Sequence, residues 1–256
     1  MKAMIFAAGL GSRLQPLTDD RPKALVEIDG RTMLEMALSR LRAFGVREVV
    51  INVFHFADMI EEYLATNSNF GLRIEISREE MLLDTGGGLK KAAHFFLNNS
   101  GNDFANDAGD HDEPFIVHNV DVLSAIDLRR MVEFHKDNQA LATLAVQDRN
   151  TSRYLLFDDR LQLCGRRSAG APPESVGRSQ PTQALAFSGI HVISPRLFSL
   201  MTEDGAFSII ASYLRLAAQG EKILAFRADK YYWRDLGKPE NIAQAAQDLK
   251  QKLISQ

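Results

Sequence analysis

The spacing of hydrophobic residues in the N-terminal part of the chain is helical in one segment and continuous in the next. Residues 32–44 carry apolar side chains at helical spacing, whereas residues 48–53 form a continuous, β-branched run. Thr32 and Glu35 have the spacing of a capping box at the start of the helical pattern, and Gly45 follows as a stop. A continuous run of this length is typical of a strand buried on both faces. The pattern therefore predicts a helix followed by a buried strand.

Strand and helix patterns alternate along the N-terminal half. Apolar runs at residues 3–8, 48–53 and 72–76 are separated by helical spacing at 32–44 and 57–65. Such alternation indicates a parallel sheet with right-handed crossovers and helices on both faces. We predict an α/β fold, a three-layer α/β/α arrangement with a mostly parallel central sheet. Ligands bind such sheets at the carboxyl ends of the strands.

Later segments continue with strand and helix patterns, and no linker or repeat divides the chain. We therefore expect a single domain over residues 1–256. Residues 98–113 are polar and acidic, and residues 166–183 are rich in Ser, Gly, Pro and charge. Both are predicted to be surface loops, and the second is either a lid or a mobile loop. The further predicted elements are a helix capped by Asp127, strands at 141–147, 154–157, 161–164, 186–193 and 223–227, a helix at 211–219 and a helix starting at Pro239.

The first strand runs into a loop of small residues. Backbone N–H groups in such a loop can approach an anion closely, because no bulky side chain blocks them. Arg13 and Lys23 would supply positive charge, and a guanidinium fork with a mobile ammonium suits a polyphosphate better than a single carboxylate. The loop residues expected to bind the phosphates are Ala7, Ala8, Gly9, Gly11 and Ser12.

Two familiar glycine loops do not fit this segment. The triphosphate loop requires Gly, four residues and then Gly-Lys-Ser/Thr, which is not present here. A dinucleotide fingerprint would need Gly or Ala at the position of Leu14 and an acid at the end of the second strand, where Asn52 stands. The sequence thus argues against a nicotinamide dehydrogenase.

Two carboxylates are candidate metal ligands. Asp121 ends the apolar run 114–121, and an acid at the carboxyl end of a strand is well placed to hold a divalent cation, although alone it would suit a turn or a helix cap. Asp235 is the second candidate. Mg²⁺ is the expected ion, because it accepts one or two carboxylates together with phosphates and water.

The glycine triplet, Gly189 and Trp233 are further candidate contact positions, and the sequence leaves two interpretations open for the first and the last. The glycines 86–88 either contact a flat base through bare backbone or form a tight turn. Gly189 interrupts a strand, which often marks the close approach of a ligand. Trp233 is either a core residue or an aromatic wall of a site.

Composition narrows the class of partner. The chain has 256 residues, 45% of them hydrophobic, and a formal net charge of -3, so there is no basic excess that would indicate nucleic acid. Cys164 is the only cysteine, which excludes a disulfide framework and a cysteine zinc cage. No apolar span of eighteen residues is present. We expect a soluble, cytoplasmic protein without nucleic-acid or membrane partners, and its oligomeric state stays open.

The N-terminal loop also carries a family resemblance. The run Ala7-Ala8-Gly9-x-Gly11-Ser12-Arg13-Leu14-x-Pro16-Leu17-Thr18, followed by Pro22-Lys23, resembles the signature of the sugar-phosphate nucleotidyltransferases. Asp121 matches a family Asp, with Val120 in place of the usual Gly. Asp235 matches the pattern Trp-x-Asp-x-Gly-Thr-Pro, with Lys238 in place of Thr. The family's Glu-Lys-Pro motif, which grips the sugar phosphate, is not found.

The resemblance implies the fold of the nucleotide-diphospho-sugar transferases and an enzyme that joins a nucleoside triphosphate to a sugar 1-phosphate with release of pyrophosphate. It implies that Arg13, Lys23, Asp121 and Asp235 are catalytic, with the two acids holding Mg²⁺. Further nucleotide contacts are implied for Thr85, Gly86 and Gly87, and sugar-phosphate contacts for Asn119, Gly189 and Trp233.

The glycine triplet is most similar to the branch that transfers UMP from UTP to N-acetylmuramic acid 1-phosphate. A mannose 1-phosphate guanylyltransferase using GTP is the first alternative. A regulatory protein that binds nucleotide sugars on the same fold without turnover is the second.

Overall fold

The computed structural model describes residues 1–97, 113–177, 180 and 182–251. The strands are β1 (Lys2–Phe6), β2 (Glu27–Ile28), β3 (Arg31–Thr32), β4 (Glu48–Val53), β5 (Arg73–Arg78), β6 (Phe115–Asn119), β7 (Val122–Ser124), β8 (Ala142–Gln147), β9 (Arg153–Phe157), β10 (Leu163–Ser168), β11 (Glu174–Ser175), β12 (Gln183–Ile193), β13 (Ile223–Arg227) and β14 (Trp233–Asp235). The helices are α1 (Met33–Phe44), α2 (Ala57–Thr66), α3 (Asp84–Lys91), α4 (Ala93–Leu97), α5 (Leu128–Asp137), α6 (Leu197–Leu200), α7 (Ile209–Ala218) and α8 (Pro239–Lys250).

A large mixed sheet forms the centre of the molecule. The strands β5, β4, β1 and β6 are parallel, as the alternating N-terminal pattern predicts, and they lie in the order β5-β4-β1-β6. The long strand β12 then pairs antiparallel with β6, with β8 and with β9. The sheet continues through β10 and β11 on one branch and through β13, parallel to β8, on the other.

Two hydrophobic cores lie on opposite faces of this sheet. Ala3 and Ile5 of β1 belong to one core, together with side chains of α1, α2, α5 and α8. Met4, between them in the strand, belongs to the other core with side chains of α3, α4 and α7. Successive side chains of a strand point to opposite faces, so a strand buried on both sides must be apolar throughout. The predicted three-layer α/β/α arrangement is confirmed.

Most of the predicted helix ends also form. The N–H of Glu35 donates to Thr32 Oγ1 at 3.0 Å, which is one half of the predicted capping box, whereas the Glu35 carboxylate accepts from Arg31 Nε at 2.8 Å. Gly45 ends α1 with a φ of 108°. Asp127 caps α5 through the N–H of Arg130, and Pro239 begins α8. These contacts depend on residues three or four positions apart, which is why the sequence alone predicts them.

The two predicted loops have different outcomes. Residues 98–112 lie outside the described part of the chain. Residues 166–183, predicted as a loop, include the end of β10 and the strand β11, where Gly165 pairs with Ser175 and Arg166 with Glu174. The second half of β10, residues 166–168, and both residues of β11 are exposed, so they lack the hydrophobic alternation by which strands are found in a sequence. No helix in the described residues is long and apolar enough to cross a membrane.

Buried histidines give the fold an expected sensitivity to acid. Burial lowers the pKa of His135 to about 4 and that of His191 to about 3, from an ordinary value of 6.5. Their rings contact neutral partners, Thr143 Oγ1 at 3.0 Å and the Tyr213 hydroxyl at 2.9 Å. The folded protein therefore keeps both rings neutral at a pH where the unfolded chain binds protons.

We expect the free energy of unfolding to fall as the pH decreases from 6.5 toward 4. Each of these histidines contributes a slope of about 1.4 kcal/mol per pH unit, because the unfolded state binds one more proton. Urea denaturation at a series of pH values measures this slope. The slope should be shallower in His135→Gln than in the parent. Equal slopes in His135→Gln and the parent would contradict the expectation.

Candidate functional site

The loop after β1 forms one wall of a cavity at the carboxyl ends of the parallel strands. The N–H of Ala7 donates to Asn52 Oδ1 at 2.9 Å, which ties the loop to the end of β4. Farther on, the Thr18 hydroxyl donates to the carbonyl oxygen of Gly11 at 3.0 Å. We call the cavity, of about 230 Å³, the cradle cavity; its lining includes Phe6, Ala7, Ala8, Gly9, Lys23, Asn52, Glu79, Thr85, Asn119 and Asp121.

A second cavity adjoins the first. It has about 420 Å³ and is called here the arginine cavity; its lining includes Arg13, Arg149, Arg153, Arg166, Asn119, Asp121, Ser188, Gly189, Trp233 and Asp235. Asn119 and Asp121 line both cavities, so the two spaces meet at the end of β6. Two adjoining compartments of this kind can hold two reactants side by side.

The two candidate carboxylates come together through a short antiparallel pair of strands. In the pairing of β14 with β7, Asp235 lies opposite Val122, the residue after Asp121. The N–H of Leu236 donates to the carbonyl oxygen of Asp121 at 2.8 Å. Both acids line the arginine cavity, although they are more than a hundred positions apart in the chain.

Each carboxylate has a cation beside it. Lys23 Nζ forms an ion pair with Asp121 Oδ2, and both side chains are largely buried. A Cβ added to Gly237 would lie 2.7 Å from Arg13 Nη2 and 2.9 Å from Asp235 Oδ1, so Arg13 and Asp235 are near neighbours. The N–H of Gly237 also donates to Asp235 Oδ1 at 2.9 Å. Two positive and two negative groups therefore gather where the cavities meet.

This donor set fits a magnesium ion better than a protein-only metal cage. In the described part of the chain, no group of three or more His, Cys, Asp or Glu side chains is placed to hold a metal. Mg²⁺ commonly takes one or two carboxylates and completes its coordination with substrate phosphates and water. Asp121 and Asp235, beside a loop suited to phosphates, meet that requirement.

The glycine triplet packs tightly against the loop before α7. The N–H groups of Gly86 and Gly87 donate to the carbonyl oxygen of Phe207, at 2.8 and 3.3 Å. All three glycines are buried, and only Thr85 of the predicted segment lines the cradle cavity. Close packing is thus one reason for glycine here. The predicted contact of Gly86 and Gly87 with the nucleotide stays a prediction, and these two N–H groups are already used.

Some of the remaining predicted residues line one of the two cavities and others do not. Ala7, Ala8 and Gly9 line the cradle cavity, whereas Gly11 and Ser12 line neither cavity and form the turn that leads to Arg13. Asn119, Gly189 and Trp233 all line the arginine cavity. Gly189 has a φ of +72°, and a Cβ there would lie 2.9 Å from Asn119 Nδ2.

Asn52 and Glu79 are two site residues that the sequence analysis did not identify. They are only 3% and 4% exposed, and Asn52 Nδ2 donates to Glu79 Oε1 at 2.8 Å. Glu79 Oε2 accepts from the N–H of Leu83 at 2.9 Å. This chain of hydrogen bonds joins the loop after β1, at Ala7, to the segment before α3. The available signal was a polar residue near the carboxyl end of each strand, Asn52 within β4 and Glu79 directly after β5.

Arg40 supports the end of β7 and the segment that follows it. Its guanidinium donates to the carbonyl oxygens of Ser124 and Ile126, and burial lowers its pKa to about 10. It lines a separate cavity of about 310 Å³ between α1 and the start of α5. None of the predicted site residues lies there.

Comparisons with known proteins agree with this fold and identify the family. The model of the family described as "Nucleotidyl transferase" matches residues 2–156, and the chain belongs to this family. The protein is a sugar-1-phosphate nucleotidyltransferase, the activity for which its curated relatives are named.

Two relatives and one solved structure illustrate the similarity. The chain is 34% identical to N-acetylmuramate alpha-1-phosphate uridylyltransferase of Caulobacter vibrioides, over 93% of this chain and 92% of that protein. It is 27% identical to mannose-1-phosphate guanylyltransferase of Mycobacterium tuberculosis, over 96% of this chain and 64% of that protein. The structure of HddC from Yersinia pseudotuberculosis complexed with GMP-PN has the same fold, with a TM-score of 0.72, 22% identity and coverage of 97% and 99%.

Proposed function

We propose that the protein transfers UMP from UTP to N-acetylmuramic acid 1-phosphate, forming the UDP-sugar and pyrophosphate. The observation that carries the transfer reaction is the meeting of Lys23, Arg13, Asp121 and Asp235 at the junction of two cavities. The choice of base and sugar is supported by the relative from Caulobacter vibrioides, which matches over nearly the full length of both chains.

In the proposed reaction, an oxygen of the sugar 1-phosphate forms a bond to the α-phosphorus of UTP. The bond from that phosphorus to the oxygen bridging toward the β-phosphate breaks, and pyrophosphate leaves. Both reactants are anions, so the protein must hold them in line and offset their repulsion. The cradle cavity binds the triphosphate through backbone N–H groups, with its terminal phosphates reaching Arg13 near the junction of the cavities, and the rest of the arginine cavity binds the acceptor.

The charged side chains have separate roles in this proposal. Lys23 neutralises the α-phosphate, and Arg13 neutralises the departing pyrophosphate, because a guanidinium can bind two oxygens at once. Asp121 and Asp235 would hold Mg²⁺, which supplies positive charge to the reacting phosphates when bound. Lys23 pairs with Asp121, so Lys23 must exchange this carboxylate for a phosphate oxygen when the triphosphate binds, which releases the Asp121 carboxylate for the role of a ligand.

A guanylyltransferase acting on mannose 1-phosphate is the second candidate. The observation in its favour is the match to the Mycobacterium tuberculosis protein over 96% of this chain. Discrimination between uracil and guanine depends on a few hydrogen bonds to the base. The donors of Gly86 and Gly87 are used by Phe207, so base contacts on this side would come from other groups near Thr85.

A matrix of substrates tests the proposal. UTP, GTP, CTP and ATP are combined with the 1-phosphates of N-acetylmuramic acid, N-acetylglucosamine and mannose in the presence of Mg²⁺, and pyrophosphate release is measured. We expect the highest kcat/KM for UTP with N-acetylmuramic acid 1-phosphate. A maximum for GTP with mannose 1-phosphate would favour the second candidate. Absence of release from every pair, with nucleotide binding intact, would indicate a binding protein.

The cytoplasmic location stays a prediction.

A further inference from the structure

Arg149 stands out among the arginines of the arginine cavity because its guanidinium is held in a fixed stack. The guanidinium carbon lies 3.6 Å from the centre of the Trp233 ring. Nη2 of Arg149 donates to the carbonyl oxygen of Phe187 at 2.7 Å, and Nε1 of Trp233 donates to that of Ser188 at 2.8 Å. Two successive carbonyl groups of β12 thus hold the two members of the stack.

A break in the pairing of β12 makes these carbonyl groups available. The register between β12 and β8 shifts between Phe187 and His191, so the ladder is interrupted there. Gly189, in the middle of this bulge, has a φ of +72°, which favours glycine. The bulge therefore builds the support for Arg149 on a rigid central strand.

The guanidinium retains unused hydrogen-bonding capacity. Nε of Arg149 is buried and has no hydrogen-bond partner in the described part of the chain, and the guanidinium interacts with the Asp235 carboxylate at a distance, without a direct ion pair among the described residues. A guanidinium carries five N–H donors in a planar fork that matches two oxygens of a phosphate or carboxylate. A half-buried cation with free donors in a cavity is suited to an oxyanion ligand.

The stack lies beside the reacting groups. Trp233 and Asp235 are alternate residues of β14, so their side chains project from the same face of the strand. Arg13 is adjacent to Asp235, as described above. The other two arginines differ, since Arg153 and Arg166 are exposed and Arg166 pairs with Glu174 at 2.6 Å.

We propose that Arg149, stacked on Trp233, binds the phosphate group of the acceptor sugar and orients its attacking oxygen. The inference rests on the proposed transfer reaction but not on the identity of the sugar. Two phosphate oxygens accept from the guanidinium fork, which leaves a third oxygen directed toward the triphosphate. Arg149 acts by binding and positioning, and no bond to it forms or breaks.

Steady-state kinetics of Arg149→Gln and Arg149→Lys test this role, using the best nucleotide and acceptor of the substrate matrix. We expect kcat/KM for the acceptor to fall about 100-fold in Arg149→Gln, because two charge-assisted hydrogen bonds are lost. Arg149→Lys should recover part of this loss by restoring the charge without the fork. Equilibrium dialysis of the nucleoside triphosphate without acceptor should give the parent Kd in both variants, which also shows that they are folded.

Arg167→Gln is the matched control. Arg167 also lies over an aromatic ring, that of Tyr154 at 4.8 Å, but it does not line the arginine cavity. The kcat/KM of Arg167→Gln for the acceptor should equal that of the parent. Unchanged acceptor kinetics in Arg149→Gln would overturn the inference about Arg149. The proposed reaction is tested separately, by the activity of the parent protein.

A second comparison identifies which oxyanion Arg149 binds. N-acetylglucosamine 1-phosphate has the phosphate of N-acetylmuramic acid 1-phosphate but not its lactyl carboxylate. If Arg149 binds the phosphate, Arg149→Gln lowers kcat/KM by the same factor for both acceptors. A loss confined to the muramic acid substrate would overturn the phosphate assignment and place the carboxylate on Arg149 instead.

Discussion

Asp121→Asn and Asp235→Asn are each expected to lower kcat for pyrophosphate release by about 1000-fold, because each removes a negative ligand from the proposed Mg²⁺ site. Asn keeps the shape of the side chain, and the backbone contact between Leu236 and Asp121 does not depend on the carboxylate. The fold should therefore persist. Kinetics at saturating substrates with a range of Mg²⁺ concentrations, together with circular dichroism, measure both effects.

Asp159→Asn serves as the control for this pair. Asp159 is an exposed acid in the turn between β9 and β10, outside both cavities, and its replacement should leave kcat unchanged. The metal assignment would be wrong if Asp121→Asn turned over within about tenfold of the parent, a change too small for the loss of a metal ligand.

Gly87→Ala is expected to destabilise the protein by about 3 kcal/mol, because the added methyl group overpacks a closed region. A Cβ at this position would lie 2.2 Å from the carbonyl oxygen of Gly205, a backbone atom that cannot rotate away. The helix α3 would have to separate from the loop that leads into α7. Urea denaturation measures the difference in the free energy of unfolding.

Gly9→Ala is the matched glycine control, since a Cβ at Gly9 would have no atom within 4 Å. Its stability should equal that of the parent within about 0.5 kcal/mol, as for most substitutions without steric conflict. If Gly87→Ala were as stable as Gly9→Ala, the close packing of α3 would not be the reason for the glycine triplet.

Much of the fold follows from short-range signals. The buried run Glu48–Val53 and the capped helix Met33–Phe44 form within the segments that the sequence pattern indicates. The short strands β2, β3, β7, β11 and β14 lack such a pattern and were not predicted. Each has two or three residues and forms by pairing with another strand, a neighbour along the chain for β2, β3 and β11 and a distant segment for β7 and β14.

Local signals identified some residues of the candidate site and missed others. Arg13, Lys23, Asp121 and Asp235 were found from local motifs and from the positions of acids at strand ends. Asn52, Glu79 and Arg149 were not, because their importance depends on contacts with distant residues. Arg149, for example, is held by Phe187 and Trp233, which lie 38 positions or more along the chain.

The amino-acid sequence by itself determined the layered α/β class, and it predicted the anion-binding loop and the chemical types of the candidate site residues, because these depend on periodicity and on neighbours along the chain. Only the tertiary structure decided that β14 pairs with β7 and brings Asp235 beside Asp121, and that a bulge in β12 holds Arg149 against Trp233. Strand register and bulges arise from packing between segments far apart in the chain, and no local pattern encodes that packing.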